Sequence, residues 1–546
     1  MSRMADHLVI APVVLPLLAG ATMLLFGERR HGLKAAIGVA SSFALVGIAI
    51  ALLVTSDAAS DSSASGISVY RLGDWPAPFG IVFVVDRLSA LMLLLTSILG
   101  SAAVVFSLAR WHRTGAHFHS LFQFLLMGIN GALLTGDLFN LFVFFELLLA
   151  ASYGLALHGS GAARVKAGLH YIVINLVASL LFLIGVSLIY GVAGTLNMAD
   201  LAARIPDITA QNRSLLEMGA GILGIAFLVK AGMWPLCFWL PTTYAVASPP
   251  VASIFAIMTK VGAYILLRLW LLLFSDAAGE SAQFGGEWLL YGGMATVAFG
   301  AIGTLASQDM ARLGAFSVLV SSGTVLAAIG MGQVGLTEGV LFYMVSSTLG
   351  IGAFFLLVEL VERGREPAAD VLAVTREAYG EDDDGDEGED QVGLAIPITM
   401  GMLGLAFIGC ALMIAGLPPL SGFIAKFALL TAALNPTGMP QGGSVPAASW
   451  ALLVALILSG LAALIAMTRA GIRAFWAAPD RAMPRVAVTE MVPIATLLIL
   501  CVLQTIQAGP VMRFMQATAH SLHASRDYVR AVLPPAGRQA GKAGGT

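Results

Sequence analysis

The stretch 138-LFNLFVFFELLLAASYGLAL-157 is apolar enough to cross a bilayer, yet it carries a carboxylate, Glu146, near its middle. A bilayer core is about 30 Å thick, and a helix needs about 20 residues to cross it. A charge at the centre of such a helix costs at least about 2.5–3.5 kcal/mol on insertion scales, so it requires a partner or a task. The rest of the chain has the same character. Of 546 residues, 58% are apolar and 11% are charged, and the mean hydropathy is +0.88. Soluble proteins carry about 25% charged residues. This balance excludes a disordered chain, a nucleic-acid-binding chain and an ordinary cytosolic enzyme. It leaves an all-α polytopic membrane protein, and sixty glycines suit that class.

Fourteen stretches read as spans. They are 8–26, 35–55, 88–108, 118–134, 138–157, 167–193, 218–240, 245–274, 288–306, 313–332, 339–358, 392–434, 447–467 and 491–508. The first is too long in its apolar run for a cleaved signal, and no A-x-A site follows it. The twelfth would be about 64 Å long as one helix, twice the membrane. Pro418 and Pro419 lie inside it and must break it. It reads as one discontinuous span, with two short spans as the alternative. Pro235 marks a similar break in the seventh. Broken helices in corresponding halves point to a site built from inverted repeats. Breaks five spans apart give repeat units of opposite sense. A plain kink at either proline is the competing reading.

With the N-terminus outside, the inside loops collect Arg29, Arg30, Lys34, Arg110, Arg113, Arg164, Lys166, Arg312, Arg363 and further arginines. The outside loops hold fewer, among them Arg71, Arg87, Arg204 and Arg213. The excess of Lys and Arg inside expects both termini outside the cytoplasm. The loop 362–391 is then cytoplasmic. Its run 381–390 holds eight acidic residues and reads as a solvated linker, or as a cation-attracting face.

The chain has six lysines, and Lys230, Lys260 and Lys426 fall inside apolar spans. Together with Glu146 they form a static charged set or an ion path. Three lysines face one glutamate, so a single structural pair does not account for all four. A buried lysine poised between charged and neutral suits a proton relay. His170 is a hydrogen-bonded structural residue or a relay member. Asp137 lies at the edge of the fifth span, as a helix cap or the margin of a path. Asp86 and Arg87 read as an interfacial pair. Cys237, Cys410 and Cys501 show no CxxC spacing. No nucleotide, nucleophile or zinc motif occurs, so no cofactor or metal is expected.

The segments TGDLFNLFVFFELLLAASYGL, ARVKAGLHYIVINL, VKAGMWPLCFWLP, SPPVASIFAIMTKVGAYILLRL and GLPPLSGFIAKF resemble the antiporter-like membrane subunits of respiratory complex I and of Mrp-type multisubunit cation/proton antiporters. GDWPAPFGIVFVVDRLSALMLLLTS adds a likeness to the D-type member of the Mrp set, also called Mnh or Pha. The resemblance covers roughly residues 8–508. It implies about 14 transmembrane helices, with two inverted five-helix repeats and broken helices 7 and 12. The corresponding units are 1–116 (helices 1–3), 117–274 (first repeat), 287–476 (second repeat) and 487–546 (helix 14 and a polar tail). It implies a proton path through Glu146, Lys230, Lys260 and Lys426, with Glu146 and Lys230 as neighbours, and with His170 as a further member. Ser346 stands where relatives often carry His, and serine does not hold a proton at neutral pH.

The implied function is that of a membrane subunit of a bacterial inner-membrane antiporter, exchanging Na⁺ or K⁺ for H⁺ and working with other membrane subunits. The alternative is a proton-pumping subunit of a complex I-type quinone oxidoreductase. A scaffold without transport is a weaker third reading, because the four charges are kept.

Overall fold

A computed structural model describes residues 7–27, 30–61, 66–115, 117–363, 398–435, 445–475 and 486–533. The acidic run 381–390 lies outside them. The apolar runs fold as helices. In order they are α1 (Ala11–Leu24), α2 (His31–Asp61), α3 (Arg87–Ser107), α4 (Phe118–Leu134), α5 (Leu138–Ala156), α6 (Ala162–Ala193), α7 (Met198–Arg204), α8 (Ala210–Ala231), α9 (Trp239–Val246) and α10 (Pro249–Leu273). There follow α11 (Gly286–Ala306), α12 (Met310–Gly330), α13 (Val334–Glu362), α14 (Ile398–Ala415), α15 (Ser421–Leu434), α16 (Ala447–Phe475), α17 (Val488–Ile506), α18 (Ala508–His523) and α19 (Ser525–Val532). Among the described residues, twelve helices are long and apolar enough to cross a membrane, and α1, α4 and α15 are shorter apolar helices.

The helices sort into a core and a rim. The most apolar stretch of α10 is entirely buried, and those of α3, α12 and α13 are nearly so. The corresponding stretches of α2, α14 and α17 are one-third buried. The rim turns apolar side chains outward, such as Leu180, Leu405 and Ile457. Helices apolar on all faces suit a bundle whose outer solvent is lipid. Packing between α11 and α12 relies on small residues. A methyl group on Gly293 would strike the backbone of Ala327, the close approach that glycine permits in membrane bundles.

Both expected breaks occur, and they share one form. Helix α8 ends at Ala231, Gly232 takes a left-handed φ of 73°, and Pro235 lies before α9. Helix α14 ends at Ala415, Gly416 takes φ 76°, and Pro418 and Pro419 lie before α15. Glycine adopts the left-handed turn without a Cβ clash, and proline cannot continue the helix.

A short antiparallel hairpin, β1 (Ser68–Arg71) and β2 (Val82–Val85), precedes α3. Its four-residue strands were not expected from the sequence, because β2 is apolar throughout and lacks alternation. The hairpin joins a polar seam at one end of the bundle, where Gly136 N–H donates to Val82 O and Met198 N–H donates to Gly136 O. The Asp86–Arg87 pair is a correction. Asp86 binds Arg268 at 2.7 Å, whereas Arg87 reaches Asp57 at 3.0 Å. Asp86 starts α3 as its N-cap and faces inward, so the adjacent Arg87 cannot share its direction.

Candidate functional site

The four intramembrane charges arise on four helices. Glu146 is central on α5, and Lys230 sits in the last turn of α8 beside the break. Lys260 is central on α10, the fully buried helix, and Lys426 lies early on α15 after the second break. All three lysines are buried.

Each charge has a different environment. The carboxylate of Glu146 accepts a short hydrogen bond from Ser179 Oγ on α6. The ammonium of Lys230 lies 5.0 Å from the ring centroid of Phe145, the residue before Glu146. Among the described residues it has no hydrogen-bond partner. Glu146 and Lys230 are therefore near one another without a direct ion pair. Lys260 donates to Ser321 Oγ at 2.5 Å, and Ser321 donates onward to Ser347 Oγ at 2.9 Å. Lys426 donates to the carbonyl of Ala415 at 2.8 Å, using an acceptor that the end of α14 leaves free.

Hydroxyl groups interrupt a mostly apolar wall near Lys260 and Lys426. A cavity of about 20 Å³ has Ser321, Tyr343, Ser346, Ser347, Met413 and Gly422 among its lining residues. That volume suits one water. Ser346 lies 3.0 Å, oxygen to oxygen, from Ser421 at the start of α15. Hydroxyls both donate and accept, so they can pass a proton that they cannot store at neutral pH. Two glycines make room for Lys426. A Cβ on Gly416 would lie 2.5 Å from Lys426 Cδ, and one on Gly460 would lie 3.3 Å from Lys426 Nζ.

Two expected residues stand apart from this line. His170 is exposed on the outer face of α6, whereas Tyr171 and Asn175 on the same helix are buried. Asp137 caps α5, accepting from the amides of Phe139 at 2.9 Å and Asn140 at 3.0 Å. Burial raises its carboxyl pKa, and those two amides offset only part of the rise. Sequence reasoning missed Phe145, Ser179, Ser321, Ser347, Ser421 and Gly460. Serines are common in membrane helices and usually bond their own preceding turn, so spacing alone does not single them out. No group of three or more His, Cys, Asp or Glu that could hold a metal occurs among the described residues.

The chain as a whole is similar to known proteins. A family described as NADH:quinone oxidoreductase/Mrp antiporter, TM matches residues 135–439, which include all four charges. The chain is 61% identical over 541 residues to the D-type subunit of a probable K(+)/H(+) antiporter of Rhizobium meliloti, covering 99% of this chain and 100% of that one. It is 32% identical to the D-type subunit of a Na(+)/H(+) antiporter of Alkalihalophilus pseudofirmus, covering 97% and 99%. A chain in the solved structure of the Mrp complex from Dietzia sp. DQ12-45-1b superposes with a TM-score of 0.79 at 25% identity, covering 97% of this chain and 100% of that one. With its full-length relatives, its matched fold and a family pattern that spans Glu146 and the three buried lysines, this multi-pass membrane chain belongs to the NADH:quinone oxidoreductase/Mrp antiporter membrane family.

Proposed function

We infer that the chain is a membrane subunit of a multisubunit monovalent cation/proton antiporter, and that protons move through it along Glu146, Lys230, Lys260 and Lys426. The observation that carries this reading is the set of three buried lysines, each on or beside a helix break or a hydroxyl chain, with one carboxylate nearby. Such groups are costly in a bilayer interior and mark ion paths. Full-length likeness to antiporter subunits supports exchange over the quinone-oxidoreductase alternative, and 61% identity with a chain named for K⁺/H⁺ favours K⁺. A proton crossing 100 mV carries about 2.3 kcal/mol, so a gradient drives exchange without a nucleotide.

The two units 117–274 and 287–476 act as inverted repeats, with the seventh span (α8 and α9) and the twelfth span (α14 and α15) as their broken members. The chain sits in a bacterial inner membrane with both termini outside the cytoplasm. It works with other membrane subunits, and exchange by this chain purified alone would refute that. The deciding measurement is ion flux in everted vesicles carrying the whole complex, with Na⁺ and K⁺ compared. Exchange with either cation, lost when this subunit is deleted, is the expected result. For topology, a cysteine at Ser444 should react with an impermeant thiol reagent from outside, and one at Gly385 should not. The reverse pattern would overturn the orientation.

A further inference from the structure

Lys230 differs from the other two buried lysines. Lys260 has a serine oxygen and Lys426 a carbonyl oxygen within hydrogen-bond distance. Among the described residues Lys230 has no such oxygen, and the Phe145 ring lies 5.0 Å away. The nearby carboxylate of Glu146 is engaged by Ser179.

The Phe145 ring is itself held by others. It packs against Phe227 at 5.8 Å and Phe182 at 6.4 Å, and those two rings pack at 5.3 Å. Such separations fit mutually attractive tilted rings. The sequence builds this layer economically. Phe227 lies one turn before Lys230 on α8, Phe182 lies one turn after Ser179 on α6, and Phe145 adjoins Glu146 on α5. The same three helices supply one aromatic and one polar group each. The aromatic layer therefore sets where the Phe145 ring stands relative to the polar one.

We propose that Phe145 is a positioning residue for proton transfer, its ring face seating the charged Lys230 ammonium apart from Glu146. The negative face of an aromatic ring attracts a cation, most strongly where water is excluded. It uses none of the ammonium's three N–H donors. Seated on the ring, Lys230 keeps its proton available to a water or hydroxyl acceptor. Bound to Glu146, the same ammonium would hold its proton in a charge-assisted hydrogen bond. Phe145 therefore keeps the pair from locking. This inference rests on the reading that Lys230 carries protons.

The test uses the complete complex in everted vesicles. Phe145 is replaced by phenylalanine bearing one, two and three ring fluorines, which drain the ring face with little change in shape. Exchange should fall stepwise, by about tenfold at three fluorines, with unchanged amounts of assembled protein. The same series at Phe407, whose ring packs against Phe354 and Phe475 and lies outside this layer, should be flat. Phe145→Leu should match the trifluorinated protein, and Phe145→Trp should retain exchange. A flat series at Phe145 beside an inactive Lys230→Ala protein would overturn the role of Phe145 and leave the relay reading standing. Full exchange by Lys230→Ala would overturn both.

Discussion

Asp86 and Arg268 meet through two hydrogen bonds, of 2.7 and 2.9 Å, although 182 residues separate them in the chain. Both side chains are buried. The pair joins the N-cap of α3 to the last third of α10, the helix that carries Lys260. Arg268 also donates to Tyr264 Oη at 2.9 Å, and Tyr264 Oη donates to the carbonyl of Leu133 at 2.6 Å. The cluster fixes α10 against both α3 and α4.

Removing one partner from this pair leaves an uncompensated buried charge. Asp86→Asn or Arg268→Met should each destabilise the assembled protein by about 3–5 kcal/mol. The double variant Asp86→Leu with Arg268→Met should recover much of that loss, because two apolar groups of similar volume leave no orphan charge. Thermal unfolding midpoints of the purified complex give the comparison, and equal losses in single and double variants would contradict it.

The same pair predicts acid sensitivity. Burial pushes the Asp86 carboxyl up, but the Arg268 charge and its hydrogen bonds outweigh that, and the net shift is downward. A carboxylate lowered in the folded state contributes stability above its ordinary pKa near 4 and loses that contribution as pH falls through the folded value. The wild-type midpoint should fall below about pH 4 more steeply than that of Asp86→Asn. Parallel profiles in a pH series of melting curves would exclude this source.

Glu146→Gln should assemble normally, because glutamine keeps the shape and can accept the bond from Ser179. Exchange should nevertheless be abolished or greatly reduced. Glu146→Asp, one methylene shorter, should keep partial activity. Normal exchange in well-assembled Glu146→Gln, measured by cation-dependent proton flux, would remove this residue from the relay.

Gly460→Ala should slow exchange several-fold without lowering the amount of complex. Its new methyl would lie 2.9 Å from the Ala415 carbonyl oxygen and 3.3 Å from the Lys426 ammonium nitrogen, closer than ordinary contact with either partner of that hydrogen bond. Unaltered rates over a range of pH would show that Lys426 needs no such slot.

Ser321→Ala should be more damaging to exchange than Ser346→Ala. The first removes the hydroxyl that accepts from Lys260, and the second removes a hydroxyl from the cavity wall that a water can replace. Steady-state flux in vesicles with matched protein amounts ranks the two, and the reverse order would count against a route through Ser321.

Much of the architecture was legible because membrane solvation leaves a plain mark. The apolar run 118–134 is a helix with those bounds, and Pro235 and Pro418 each lie in an interruption. The lysines stood out because few charges occur in the spans. Partnerships were less legible. Nothing near Asp86 in the chain points to Arg268, since their contact depends on how α3 and α10 pack. Glu146 and Lys230 lie near one another, but their immediate partners, Ser179 and Phe145, are ordinary residues for helices of this composition and carry no mark in the sequence. His170 is one position from the buried Tyr171, and on a helix that step of about 100° turns it outward.

Helix α10 has no lipid-facing stretch and is anchored near one end by Asp86. Its backbone is packed in the bundle interior, and Lys260 reaches Ser321 across the flexible tether of its four methylenes. On the proposed route, conduction past this point would be short-range hopping, on the scale of one side chain and one water. Its speed is set by local reorientation and should depend little on bilayer thickness or stiffness, unlike carriers that rock whole domains.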